Sequence, residues 1–164
     1  MKPTWSKFWA EYPDYGTYPD SSEVKAAIGG AVNADWIVNT CAVRLSWGLN
    51  YSGVPLPSNF AGLLTLKGGD GMRYALRVRE MRMWLPGAAV LGPPDFDLKK
   101  KAGEAFDKTK LAGMKGIIAF DIKFGDATGH LDAWDGSVFS SEYKSTDYWG
   151  RASRITIWEL KTSS

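Results

Sequence analysis

Gly129-His130-Leu131-Asp132-Ala133-Trp134-Asp135-Gly136-Ser137 is the stretch whose reading decides the fold. The residues up to Trp134 read as a strand. Asp135-Gly136 then supplies two residues that tolerate positive φ, the signal of a two-residue hairpin turn. The returning strand is expected over residues 137–143. Upstream, Lys115-Gly116-Ile117-Ile118-Ala119-Phe120-Asp121-Ile122 carries an apolar run typical of a buried strand. Downstream, Ile155-Thr156-Ile157-Trp158-Glu159-Leu160 alternates and reads as a final strand. The C-terminal third is therefore expected to form an antiparallel sheet.

The chain before that sheet reads as helices and loops. Trp5, Phe8, Trp9 and Tyr12 recur at helical spacing behind Thr4, a good N-cap, and Pro13 ends the pattern. Residues 23–28 read as a second helix, stopped by Gly29-Gly30. Residues 31–40 are irregular. Ala42, Val43, Leu45 and Leu49 fit a third helix over 41–49, closed by Asn50 and Gly53. Residues 54–71 are loop-rich, 74–78 suggest a short strand, and 79–85 a helix ended by Pro86. The charged stretch 98–110 reads as helical or irregular. Helices first and antiparallel strands last is an α+β order. No repeat or linker divides the chain, so residues 1–164 are expected as one domain.

Composition narrows the function classes. A chain of 164 residues with 45% hydrophobic and 23% charged residues suits one soluble domain. A net charge of +2 argues against nucleic acid as a partner. No segment approaches the ~18 apolar residues of a membrane span, so no membrane insertion is expected. Met1-Lys2-Pro3-Thr4-Trp5 is followed by no apolar run of a signal peptide. The expectation is synthesis in the cytoplasm and, if exported, export by a route that needs no signal peptide. A metal site would need two carboxylates beside the lone Cys and His, and no Gly-rich phosphate loop is present, so no metal or cofactor is expected.

The chain has one cysteine and one histidine, and therefore one way to build a Cys–His nucleophile. Cys41 stands in the first turn of the third helix. A helix N-terminus and a neighbouring imidazolium favour a thiolate, and first-turn N–H groups can hold an oxyanion. Cys41 is accordingly expected to be solvent-accessible. His130 on a hairpin strand supplies a base on rigid structure. A third polar group usually orients the imidazole. Counting outward from the Asp135-Gly136 turn sets Ser141 opposite His130, on its face. Asp132 shares that face two residues along, and Glu142 reaches it only through a bulge. The competing view is a buried structural thiol and a hydrogen-bonded structural histidine.

Several blocks together resemble a known family. They are Asn39-x-Cys41-x-Val43-Arg44-Leu45-Ser46, Asn50-x-x-Gly53-x-Pro55, Asp70 with Tyr74-x-x-Arg77-Val78, Lys115-Gly116-Ile117-Ile118, Gly129-His130-x-x-x-Trp134-x-Gly136-Ser137 and Ile157-Trp158. The chain resembles the type VI secretion amidase effectors of the fourth family, which are NlpC/P60-like, papain-like hydrolases. The resemblance implies an α+β papain-like core with N-terminal helices packed on a C-terminal antiparallel sheet. It implies an antibacterial peptidoglycan amidase that cleaves the γ-D-glutamyl–meso-diaminopimelate amide of stem peptides through an acyl-enzyme on Cys41, with His130 as base. The implied partners are the stem peptide, a cognate immunity protein and the secretion apparatus, and the implied destination is the periplasm of target cells. The third catalytic residue of the family is an aspartate. The position that lines up with it is Ser141, so Glu142 and Asp132 stand as alternatives. Arg44, Trp47, Tyr51 and the 54–71 loop are expected to contact substrate. The rival functions are a weak or inactive peptidoglycan-binding module, and a cysteine acyltransferase or protease with another substrate.

Overall fold

The computed structural model describes residues 2–123, 129–144 and 146–162. Helix α1 (Trp5–Glu11) is capped by Thr4, whose Oγ1 accepts the Lys7 N–H at 3.2 Å, and it buries Trp5 and Phe8. Helix α2 (Ser21–Ile28) starts with a capping box between Asp20 and Glu23. Residues 31–40 follow without regular structure beyond one 3-10 turn at Gly30–Val32. Lys25 pins this segment: its buried ammonium donates to the carbonyls of Ala34 and Ile37, each at 2.7 Å. Helix α3 (Cys41–Tyr51) then enters the core with Val43, Leu45 and Leu49 fully buried.

Strands β1 (Thr65–Lys67) and β2 (Arg73–Ala75) form a small hairpin, followed by α4 (Val78–Trp84). The main sheet has the order β3-β6-β4-β5 and is antiparallel throughout. Its strands are β3 (Phe96–Lys99), β4 (Gly116–Asp121), β5 (Gly129–Trp134) and β6 (Arg154–Glu159). A four-residue helix, α5 (Tyr148–Arg151), precedes β6.

Both faces of β4 and β5 are covered. Ile117, Ala119, Leu131 and Ala133 pack with Phe8, Leu45 and Leu49 beneath α1 and α3. Ile118, Phe120, Trp134, Ile155 and Ile157 form a second core on the opposite face, covered by Leu111, Phe139 and Trp149. Two-sided burial is why β4 reads as a continuous apolar run rather than an alternation. At Gly116 the strands come so close that a Cβ would lie 2.0 Å from the Trp158 carbonyl oxygen.

Three expectations about local structure are corrected. Part of the 98–110 stretch belongs to β3, an edge strand: Asp97 forks onto Arg154 at 2.6 and 2.7 Å and accepts from Thr156 Oγ1 at 3.0 Å. Cross-strand ion pairing hides such a strand from any apolar pattern. Residues 54–71 contain β1. The turn after β5 is wider than two residues. Asp135 Oδ1 accepts the N–H groups of Ser137 and Val138, both at 2.8 Å, and Asp135 N–H donates to Val138 O. Trp134 therefore bridges Phe139 rather than facing Ser137. The expected strand over 137–143 reduces to that bridge, the Ser140 N–H to Ala133 O bond and a 3-10 turn at Glu142–Lys144.

Candidate active site

The N-terminus of α3 meets edge strand β5. Cys41 is the first helical residue, and its backbone N–H donates to Asn39 Oδ1 at 3.1 Å. Thr40 holds the entry: its Oγ1 lies 3.1 Å from Ser21 Oγ and accepts Arg44 Nε at 3.3 Å. Arg44 also donates to Pro13 O at 3.1 Å, and its guanidinium sits 3.8 Å from the centre of the Tyr15 ring. The start of α3 is thus braced from its own second turn and from the segment after α1.

His130 projects from β5 with Nε2 2.8 Å from Asp132 Oδ2 and 3.0 Å from Ser141 Oγ. The Cys41 thiol is near enough to the imidazole to raise its pKa. Asp132 is fully buried and fully engaged. Oδ1 accepts from Tyr12 Oη at 3.0 Å and from the Ala133 N–H at 2.8 Å, while Oδ2 accepts the Ser141 hydroxyl at 2.7 Å and the Ser141 N–H at 3.0 Å. Tyr148 stacks on the imidazole with 4.5 Å between ring centres. Phe139 and Tyr15 stand farther off, at 6.1 and 6.2 Å.

Burial pulls the imidazole pKa down. The hydrogen bonds to Asp132 and Cys41, and the negative charge on both, outweigh it and raise His130 to about 9. Burial, followed by the charge on Asp132, pushes the phenols of Tyr12 and Tyr15 well above their ordinary range. Both phenols therefore stay protonated, and Tyr12 remains a donor to the carboxylate. Burial and the charge on Cys41 do the same for Tyr148.

Of the residues singled out in the sequence, Cys41, His130, Asp132 and Ser141 come together. The wider turn shifts the register by two residues, which preserves the face, so Ser141 still reaches His130. Glu142 is directed elsewhere: its carboxylate takes Lys108 Nζ at 2.7 Å, Trp149 Nε1 at 3.3 Å and the Phe139 N–H at 3.1 Å. Cys41 is buried, only 2% exposed, and not open as expected. A cleft of about 360 Å³ opens beside His130 and the residues just before Cys41, lined by Tyr15, Val38, Asn39, Thr40, His130 and Tyr148 among others. Arg44 is fully buried, so it braces the helix and has no surface to offer a substrate. Trp47, Tyr51 and Asp70 of the 54–71 loop line a separate cavity toward the other end of α3. Tyr12, Asn39 and Tyr148 were not singled out for the site. The aromatic spacing of α1 presents Tyr12 only as a core residue, and the irregular segment gives Asn39 no pattern. Among the described residues, no group of three or more His, Cys, Asp or Glu is placed to hold a metal ion.

A cysteine at a helix start, facing a histidine on an antiparallel sheet, is the arrangement of papain-like cysteine hydrolases of the NlpC/P60 type. The family model for type VI secretion system amidase effector protein 4 (Tae4) matches residues 37–158, and the chain belongs to that family of peptidoglycan amidase effectors. The fold agrees with solved members. Tae4 of Enterobacter cloacae in complex with Tai4 is 30% identical, with a TM-score of 0.83 over 98% of this chain and 100% of that one. The same Enterobacter effector by itself is 31% identical, with a TM-score of 0.81 over 98% of both chains. Tae4 of Salmonella typhimurium in its Tai4 complex is 25% identical, with a TM-score of 0.83 over 98% of this chain and 99% of that one. A comparison with curated proteins returned no relative.

Proposed function

We propose that this effector cleaves the amide between γ-D-glutamate and meso-diaminopimelate in peptidoglycan stem peptides, with Cys41 as nucleophile and His130 as proton carrier. The reading is carried by one observation: the imidazole is held between the Cys41 thiol and the Asp132 carboxylate, with Nε2 2.8 Å from Oδ2. With Nε2 engaged by Asp132 and Ser141, Nδ1 is the nitrogen left for the thiol. His130 takes the Cys41 thiol proton, and the sulfur attacks the γ-carbonyl carbon to give a tetrahedral oxyanion. His130 then protonates the leaving amine of diaminopimelate, and a thioester to D-glutamate remains. His130 next takes a proton from water, the hydroxide attacks the thioester, the C–S bond breaks, and His130 returns the proton to the Cys41 sulfur. Asp132 stabilises the imidazolium and fixes its plane. Ser141 supports Asp132 by donating to Oδ2 and so does not need to carry a charge itself. The cleft beside Asn39 and His130 is the approach nearest the buried thiol, and the Asn39 side chain is the group a substrate oxygen must displace from the Cys41 N–H.

The relatives solved in complex with Tai4 support a cognate immunity protein as a partner of this chain. Membership in the type VI effector family supports action in the periplasm of a target cell. The test is incubation with purified sacculi and mass analysis of the released muropeptides. The expected products end in D-glutamate on one side and begin with diaminopimelate on the other, and Cys41→Ala releases none. Intact sacculi after incubation with the unaltered protein would reject the assignment.

A further inference from the structure

We infer that the cavity between the C-terminal ends of α2 and α3 is a subsite for a glycan-strand sugar, an N-acetylated hexosamine. Helix α2 borders both concave sites. Ser21, its first residue, lines the Cys–His cleft, while Ala27 and Ile28, at its other end, line this second cavity of about 290 Å³. Helix α3 runs from Cys41 at the cleft to Trp47 and Tyr51 at the cavity. At 1.5 Å per residue these two side chains stand roughly 9 and 15 Å from Cys41 along the axis. A stem peptide is anchored to its muramyl sugar through L-alanine and D-glutamate. Extended at ~3.5 Å per residue, with the extra length of a γ-linkage, these two residues set the sugar roughly 10 Å from the scissile carbonyl. The cavity therefore lies at a distance from Cys41 that matches the reach from the scissile amide to the sugar.

Its walls have the chemistry of a sugar site. Trp47 and Tyr51 offer aromatic faces, and Tyr51 is 41% exposed. The Tyr51 ring is held in place: its hydroxyl donates to Asp70 Oδ2 at 2.5 Å, and Tyr74 donates to the same oxygen at 2.6 Å. Asp70 is itself fixed by the Met72 N–H at 3.0 Å. Glu11 brings an exposed carboxylate to the rim, with no ion pair or hydrogen bond among the described residues. Rigid aromatic faces stack on the apolar face of a pyranose, and carboxylates accept from its hydroxyls. No Lys or Arg lines the cavity, which disfavours a second carboxylate-bearing stem as the occupant.

The inference rests on the peptidoglycan amidase reading, and the test separates the two. The unaltered protein, Tyr51→Ala and Glu11→Gln are assayed on two substrates: the free stem tripeptide or tetrapeptide without sugar, and the same stem on its disaccharide. Both substitutions are on exposed side chains, and Glu11→Gln leaves every described hydrogen bond intact. The expected result is at least a five-fold rise in KM on the disaccharide substrate for each variant, with kcat/KM on the free peptide unchanged. Stem-free glycan oligomers should inhibit the unaltered protein and not Tyr51→Ala. Equal changes on both substrates, or none on either, would overturn the sugar subsite while leaving the amidase reading in place. Failure of the unaltered protein to cut either substrate would overturn both.

Discussion

The chain has one histidine, so its titration is visible without interference from another imidazole. In the folded protein its pKa is raised from 6.5 to about 9. Because the folded state holds the proton more tightly, the contribution to stability is full below about 6.5 and disappears as pH rises through about 9. At ~1.4 kcal/mol per unit, the loss across that window is on the order of 3 kcal/mol. Urea midpoints measured from pH 6 to pH 9.5 should fall, and the difference from His130→Gln should carry that slope. A slope that survives the substitution would assign it to other groups. The Cys41 charge is one of the causes of the shift, so Cys41→Ala should lower the His130 pKa seen by NMR. The two hydrogen-bonding partners of Nε2 should differ in weight. Asp132→Asn removes the charge that stabilises the imidazolium, and turnover should drop by about a hundred-fold or more. Ser141→Ala removes a neutral donor and should cost about ten-fold or less. Reversed magnitudes would give the orienting role to Ser141.

At the scale of elements, α3 and the β4–β5 pair were legible because their signals are local. The apolar spacing after Cys41 and the run 116–121 are set by neighbours within a few residues. The failures came from contacts far along the chain. β3 exists because Asp97 meets Arg154, 57 residues away. The turn at Asp135 widened because one carboxylate oxygen captured two following N–H groups, a side-chain choice that the Asp-Gly pair alone does not specify. Asp132 was visible only as a neighbour on the His130 face, since same-strand residues two apart usually diverge. Here Tyr12, Ser141 and the Ala133 N–H turn its carboxylate back onto Nε2. Arg44 looked like a surface cation because an arginine rarely lies fully buried. It is retained because Thr40 Oγ1, Pro13 O and the Tyr15 face receive it. Arg44→Met keeps the apolar stem and leaves those acceptors unmatched, so stability should fall by about 2–4 kcal/mol in urea unfolding. A substrate-contacting arginine would instead leave the unfolding midpoint unchanged and raise KM alone.

For the whole molecule, the decisive property is where its substrate lies. Among the described residues no helix is long and apolar enough to cross a membrane, and the proposed target amide lies on the far side of the cytoplasmic membrane. The pair proposed to carry the reaction, Cys41 and His130, comes together in the folded chain, with Asp132 2.8 Å behind the imidazole. On the proposed reading, the effect of the protein should depend on the compartment in which it is placed. Expressed in a Gram-negative cytoplasm, the chain should be nearly harmless. Directed to the periplasm by a fused signal peptide, it should cause rounding and lysis. Cys41→Ala should abolish that effect, because replacing one buried sulfur by hydrogen leaves the surface, and so the folding stress of export, nearly unchanged. Co-expression of a periplasmic immunity protein of the Tai4 kind should also suppress lysis if it occupies the cleft over Asn39 and His130. Equal toxicity in both compartments, or toxicity that survives Cys41→Ala, would move the target into the cytoplasm and away from peptidoglycan.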